Sequence, residues 1–312
     1  MIAHKPTCGS KISSALMTKW LTATAPPIAR FTLASVRLSK LISAAALVLV
    51  AGAAAYGETP QKVVSMNVCT DQLAMLLAGE GQLHSLSALA VDPRISGMVE
   101  EARAFHINSA RAEEIYLMKP DLVLAGTYTA RASVEMLERL GLRVVRFAPA
   151  NSLADVPLRL REMGAVLGRE ARAAELVAVF EAGLARLKEN APEQRPRALS
   201  YAANGYTSGA HTLPDEMIVA AGFINVASEF GIDYGGRMPL ELLAMSAPDL
   251  VMSSTPYAGA SRAEEVPQHP VVRAVTGGGP PVGMVSRDWS CGTPLVLRAI
   301  DELAAKRKAR FP

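Results

Sequence analysis

The sequence predicts an α/β protein of two Rossmann-like lobes, each with a parallel sheet, joined by one long helix. Three observations carry this. A helix–turn–strand segment occurs twice, short apolar runs alternate with helical stretches in both halves, and residues 151–190 between them keep helical spacing. The duplicated segment reads EEIYLMKPDLVL at 113–124 and ELLAMSAPDLVM at 241–252. The copies align without a gap at an offset of 128, as the prolines at 120 and 248 show, and both run on to a threonine, Thr127 and Thr255. In each, an apolar-periodic helix stops before a proline that cannot continue it. Pro-Asp then makes the turn, and an apolar run with few charges follows as a buried parallel strand. A unit present once in each half implies two similar lobes, and two lobes enclose a cleft.

The other elements follow in order. Residues 62–66 read as a first strand and 71–78 as a helix, with Thr70 placed to cap it and Gly79 to stop it. A short strand at 83–86 precedes an irregular polar stretch, 87–109, turned by Asp92-Pro93. After the first repeat copy, with its strand at 121–125, come a helix at 131–140 closed by Gly141 and a strand at 142–147. This βαβα alternation predicts a parallel sheet flanked by helices. In 151–190, Pro157 suits a first turn and Gly168 breaks or kinks the run. The later part alone would span about 30 Å at 1.5 Å per residue, a stiff strut that leaves little hinge motion. The second half repeats the alternation: strand 197–202, helix 213–221 stopped by Gly222, strand 224–226, the second repeat strand 249–253, strand 282–285 and a last helix 294–306. The expected division is a leader at 1–57, a first lobe at 58–150, the connecting helix at 151–190 and a second lobe at 191–312.

Composition narrows the class. Half of the 312 residues are apolar, ample for two lobes with a sizeable core. The net charge of +3 misleads, because 1–57 holds six basic residues and no acidic one; without it, 26 basic residues stand against 29 acidic. No nucleic-acid reading follows. Arg30, Arg37 and Lys40 precede an apolar run at 41–52, short for a membrane span and suited to an export signal. Small residues allow cleavage after Ala55 or after Gly57. The other reading is an uncleaved anchor. The expectation is a periplasmic, monomeric protein. Export places Cys69 and Cys291, the cysteines left after the leader, where disulfides form. They allow one pairing; spacing alone leaves it open whether they bond or face a ligand as thiols.

With these motifs in order, the chain resembles the substrate-binding proteins of bacterial ABC importers for ferric siderophores, haem and cobalamin, over roughly residues 60–310. The resemblance implies a class III periplasmic binding protein-like fold and no catalysis. It implies no cofactor of its own, an iron chelate or cobalamin as cargo, and a permease dimer in the inner membrane as partner. In that family a glutamate seven residues before the repeat proline docks onto permease arginines. Here those positions are Glu113 and Glu241, with Glu114 a neighbouring alternative. One carboxylate per lobe suits a two-fold symmetric partner, since each Arg–carboxylate pair can be bidentate. Both also sit where a helix dipole favours acidic surface residues. The resemblance further assigns Asp288 and Trp289 to the ligand pocket; a core place for Trp289 is the other reading.

Ligands of parallel α/β sheets bind outside the strands' carboxyl ends. The segments there hold Arg94, Tyr128, Arg131, Tyr206, Tyr257 and Arg262. Tyrosine packs on rings and arginine pairs with anionic oxygen, which suits an anionic, partly aromatic chelate. Two other classes are weighed. An exported α/β enzyme lacks support from G-x-S-x-G, H-E-x-x-H, P-loop or Rossmann glycine motifs. A free-metal receptor needs clustered ligands, and His84, His106, His211 and His269 show no such spacing, so no metal site is expected.

Overall fold

The structure is a computed structural model and describes residues 58–190, 192–254, 261–284 and 286–311. Residues 1–57, where a leader and its cleavage sites are expected, and Tyr257 lie outside the described residues.

The first half runs β1 (Val63–Ser65), α1 (Val68–Leu77), β2 (Leu83–Ser87), α2 (Val99–Ala102), β3 (His106–Asn108), α3 (Ala112–Met118), β4 (Leu122–Gly126), α4 (Arg131–Arg139) and β5 (Val144–Phe147). The strands form one parallel sheet in the order β3-β2-β1-β4-β5. Alternate residues of a strand face opposite sides. Accordingly Val63, Leu122 and Leu124 join the apolar cluster on one face, while Val64, Val123 and Ala125 join the other with Ile115 of α3 and Leu137 of α4. Burial on both faces explains why these strands read as unbroken apolar runs.

Two details of this half depart from expectation. The cap of α1 is Asn67, whose side-chain oxygen accepts from the Cys69 N–H at 3.0 Å; Thr70 lies inside the helix and donates to the Asn67 carbonyl. The stretch 87–109, read as irregular, contains a short helix and the edge strand β3.

The connection is two helices rather than one. They are α5 (Asp155–Leu167) and α6 (Glu170–Glu189), packed side by side, with Gly168 left-handed at φ +67° between them. Glycine adopts that conformation without the penalty of a Cβ. Thus α5 folds back on α1, and α6 alone carries the chain to the second half, where it packs against the helices Leu213–Ala220 and Val296–Arg310.

The second half runs β6 (Arg197–Ser200), β7 (Tyr206–Ser208), α7 (Leu213–Ala220), β8 (Ile224–Asn225), α8 (Val226–Glu229), β9 (Gly235–Arg237), α9 (Leu240–Ser246), β10 (Leu250–Ser254), α10 (Arg262–Glu265), α11 (Pro270–Val275), β11 (Val282–Met284), α12 (Ser286–Trp289) and α13 (Val296–Arg310). Its parallel sheet is ordered β11-β10-β6-β8, and β7 with β9 makes a small antiparallel ribbon that the sequence reading did not contain. One apolar cluster runs through both halves, from Leu73 of α1 through Leu160 and Phe180 to Met217 and Ile300. No helix among the described residues is long and apolar enough to cross a membrane.

The duplication is structural as well as textual. Helix α3 maps onto α9 and strand β4 onto β10 at the same offset of 128. The helices end on left-handed Lys119 and Ala247. The aspartate after each proline then ties its strand to the first strand of its own half. Asp121 accepts from the N–H of Gln61 (2.7 Å) and Lys62 (3.0 Å), and Asp249 from the N–H of Arg197 (2.8 Å). The Pro-Asp step therefore turns the chain and also fixes strand register through charge-assisted hydrogen bonds.

Candidate functional site

The order of the first sheet reverses between β1 and β4, and such a switch point opens a crevice at the strands' carboxyl ends. A cavity of about 220 Å³ lies there. Asn67, Cys69 and Thr70 line it after β1, Gly126 to Tyr128 after β4, and Phe147 to Ala150 after β5. Leu73 and Arg159 close it from α1 and α5, and Ser290 and Gly292 reach it from the second half. A larger groove, about 620 Å³, runs between α5, α6 and α7, but Arg195 in its wall precedes the amino end of β6. Position at the switch point and walls from both halves favour the smaller cavity as the ligand site.

The 288–298 segment of the second half lies against the first. Cys69 and Cys291 form a disulfide with Cα atoms 5.2 Å apart. Gly292 passes so close to Ala150 that a Cβ on it would lie 2.0 Å from the alanine Cβ, so only glycine fits. The Arg298 guanidinium reaches towards the Gly97 carbonyl at 3.5 Å.

The expected ligand residues divide. Tyr128 lines the cavity and is 86 % exposed. Tyr206 and Arg262 lie in the second half, where α10 packs on the turn 203–205 that leads into β7, and neither lines the cavity. Arg94 and Arg131 are exposed and do not line the cavity; Arg131 pairs with Glu135 on its own helix at 2.6 Å. Asp288 and Trp289 are buried. Asp288 is 2 % exposed, and the Arg298 guanidinium occupies its carboxylate, with Nε at 2.7 Å. Trp289 belongs to the apolar cluster shared by both halves. Neither is among the residues that line the cavity. Arg159 was missed, because an arginine three residues before Glu162 on a helix looks like an ordinary surface pair.

The two candidate docking carboxylates lie exposed in the first turns of α3 and α9, with no ion pair among the described residues. Glu114 is engaged: it accepts from the backbone and hydroxyl of Ser109, and that hydroxyl chiefly holds its pKa below the usual carboxylate range.

Under the cavity, burial pushes the Asp71 carboxyl up to about 6, although hydrogen bonds from Ser87 oppose the shift. The protonated form therefore favours the folded state. That contribution is full below about 3.8 and is lost as pH rises through about 6. Relative to an Asp71→Asn variant, which lacks the titration, the native chain should lose on the order of 2 kcal/mol between pH 4 and pH 7.5. Urea unfolding of both proteins at the two pH values checks this; a constant difference between them would refute it.

Among the described residues no group of three or more His, Cys, Asp or Glu side chains could hold a metal ion. The sequence profile described as periplasmic binding protein matches residues 63–277. The chain belongs to this family. It is a family of substrate-binding proteins, not of enzymes. Solved structures share the fold of this binding protein. The periplasmic heme-binding protein RhuT from Roseiflexus sp. RS-1 aligns over 78 % of this chain and 97 % of its own, with a TM-score of 0.66 and 20 % identity. The periplasmic vitamin B12 binding protein BtuF of Vibrio cholerae aligns over 81 % and 98 %, with a TM-score of 0.61 and 16 % identity. A curated relative is the uncharacterized ABC transporter substrate-binding lipoprotein YvrC of Bacillus subtilis (strain 168), 24 % identical over 180 residues. That match spans 54 % of this chain and 56 % of YvrC.

Proposed function

We propose that this protein captures a metal chelate (a ferric siderophore, haem or cobalamin) between its lobes and delivers it to the permease of an ABC importer. The observation that carries the reading is the cavity at the switch point, walled by residues of both halves. Likeness in fold to heme-binding and vitamin B12-binding proteins supports a chelate of that size class. Residues 1–57 serve as the export leader, 58–150 and 191–312 as the gripping lobes, and 151–190 as the brace. Tyr128, Tyr206 and Arg262 face the cargo, joined by Tyr257.

Glu113 and Glu241 meet two permease arginines. Each stands one helical turn before an exposed apolar residue, Leu117 at 77 % and Met245 at 75 %, again 128 positions apart. Residues four apart share a helix face. Each lobe thus presents a carboxylate beside an apolar side chain, a pair suited to a cationic pocket with a greasy rim.

The test is a titration of the purified exported chain with ferrichrome, a ferric tricatecholate, haemin and cobalamin, following tyrosine and tryptophan fluorescence. Saturable quenching by one class is expected. Silence with all four would overturn the reading.

A further inference from the structure

The cavity at the switch point carries more than a location. Its volume of about 220 Å³ is below the roughly 300–1,000 Å³ of pockets that enclose a whole small ligand, so it accommodates an arm of a larger one. Its walls are mainly apolar or uncharged, and Arg159 is the one charged residue among them. The Arg159 side chain is 16 % exposed. One terminal nitrogen, Nη1, pairs with Glu162 at 2.6 Å, and Glu162 is itself half exposed. The Nε–H is buried and meets no acceptor among the described residues. A buried donor without an acceptor is costly, and native structures rarely keep one that nothing uses. Guanidinium presents its donors as a fork that fits a carboxylate. With Nη1 committed to Glu162, the Nε donor is unused, and a small turn of the half-buried side chain towards the cavity would offer it to an incoming anion. Leu73 and Phe147, which line the same cavity, would cover the apolar stem carrying that anion.

We infer that Arg159 is a specificity-determining residue of this site, selecting a cargo that carries a carboxylate, or an equivalent anionic oxygen, on an apolar arm. The inference rests on the proposed capture of a chelate and names the chemical feature by which the cavity would recognise it. It also places a ligand contact on α5, outside the strand-end loops that hold the other candidates.

The experiment compares haemin with its dimethyl ester, and a ferric tricatecholate with neutral ferrichrome, on the native chain and on Arg159→Gln and Arg159→Lys. The native chain should bind the anionic member of at least one pair 10- to 100-fold more tightly. Arg159→Gln should erase that preference by weakening the anionic probe alone, and Arg159→Lys should keep part of it, since the charge remains and the fork is lost. Thermal midpoints within a few degrees of the native value show that the variants fold. Where Arg159→Gln does not fold, the test passes to Arg159→Lys: an undiminished preference overturns the inference. An undiminished preference in a folded Arg159→Gln, or equal native affinity for both members of each pair, likewise overturns it while leaving chelate capture intact. Failure of the native chain to bind any of these probes or cobalamin overturns the capture reading, and this inference with it.

Discussion

Replacing Cys69 and Cys291 together by serine is expected to destabilise the protein by about 3–5 kcal/mol. The bond joins residues 222 positions apart, and closing so long a loop removes much conformational freedom from the unfolded chain. In a chain of this size, 1 kcal/mol moves the thermal midpoint by roughly 2–4 °C, so the midpoint should fall by about 10 °C. Dithiothreitol should reproduce the fall in the native protein and leave the double serine variant unchanged. A midpoint that moves by less than about 2 °C would mean that the cysteines do not bond in solution. The disulfide also ties the first turn of α1, at the wall of the cavity, covalently to the 288–298 segment, so chelate affinity should weaken alongside stability.

The second large effect concerns delivery. The double variant Glu113→Ala, Glu241→Ala should bind cargo within twofold of the native protein and support almost no uptake. Neither side chain lines the cavity, which separates the two readouts. Each charge-assisted contact is worth about 1.5–3 kcal/mol, and two contacts on one rigid body reinforce each other well beyond either alone. Single variants should therefore already lose much of the transport. The measurement is uptake of labelled cargo by cells that depend on this chain, paired with affinity of the purified variants. Normal uptake by the double variant would refute the docking role; Glu114→Ala, which removes only a contact to Ser109, serves as the control.

Much of this architecture is legible in the sequence because the relevant strands are buried on both faces. Residues 122–125 and 250–252 are wholly apolar for that reason, and the Pro-Asp step ahead of each marks the turn. Elements without such a signal were not readable. Strand β3 is His-Ile-Asn, with only Asn108 buried, and the β7–β9 ribbon pairs two glycines with polar residues. Gly168 marked a break but not its angle, since a left-handed residue can end a helix as readily as bend it. The site was legible as a place and less so as a residue set. Strand ends and Tyr128 follow from topology, whereas Arg159 is brought to the cavity by the packing of α5 against α1, which joins residues far apart in the chain. The burial of Asp288 is not legible, because its partner Arg298 lies ten residues on and nothing in the local sequence marks the pair.

Peptide and sulfur links together make a macrocycle of everything from Cys69 to Cys291, with both repeat copies and α6 inside the ring. A chain nicked anywhere within that circuit stays one covalent molecule. Such wiring keeps both halves on the same particle after a backbone cut, and on the proposed function the cargo would not be dropped when the chain is broken.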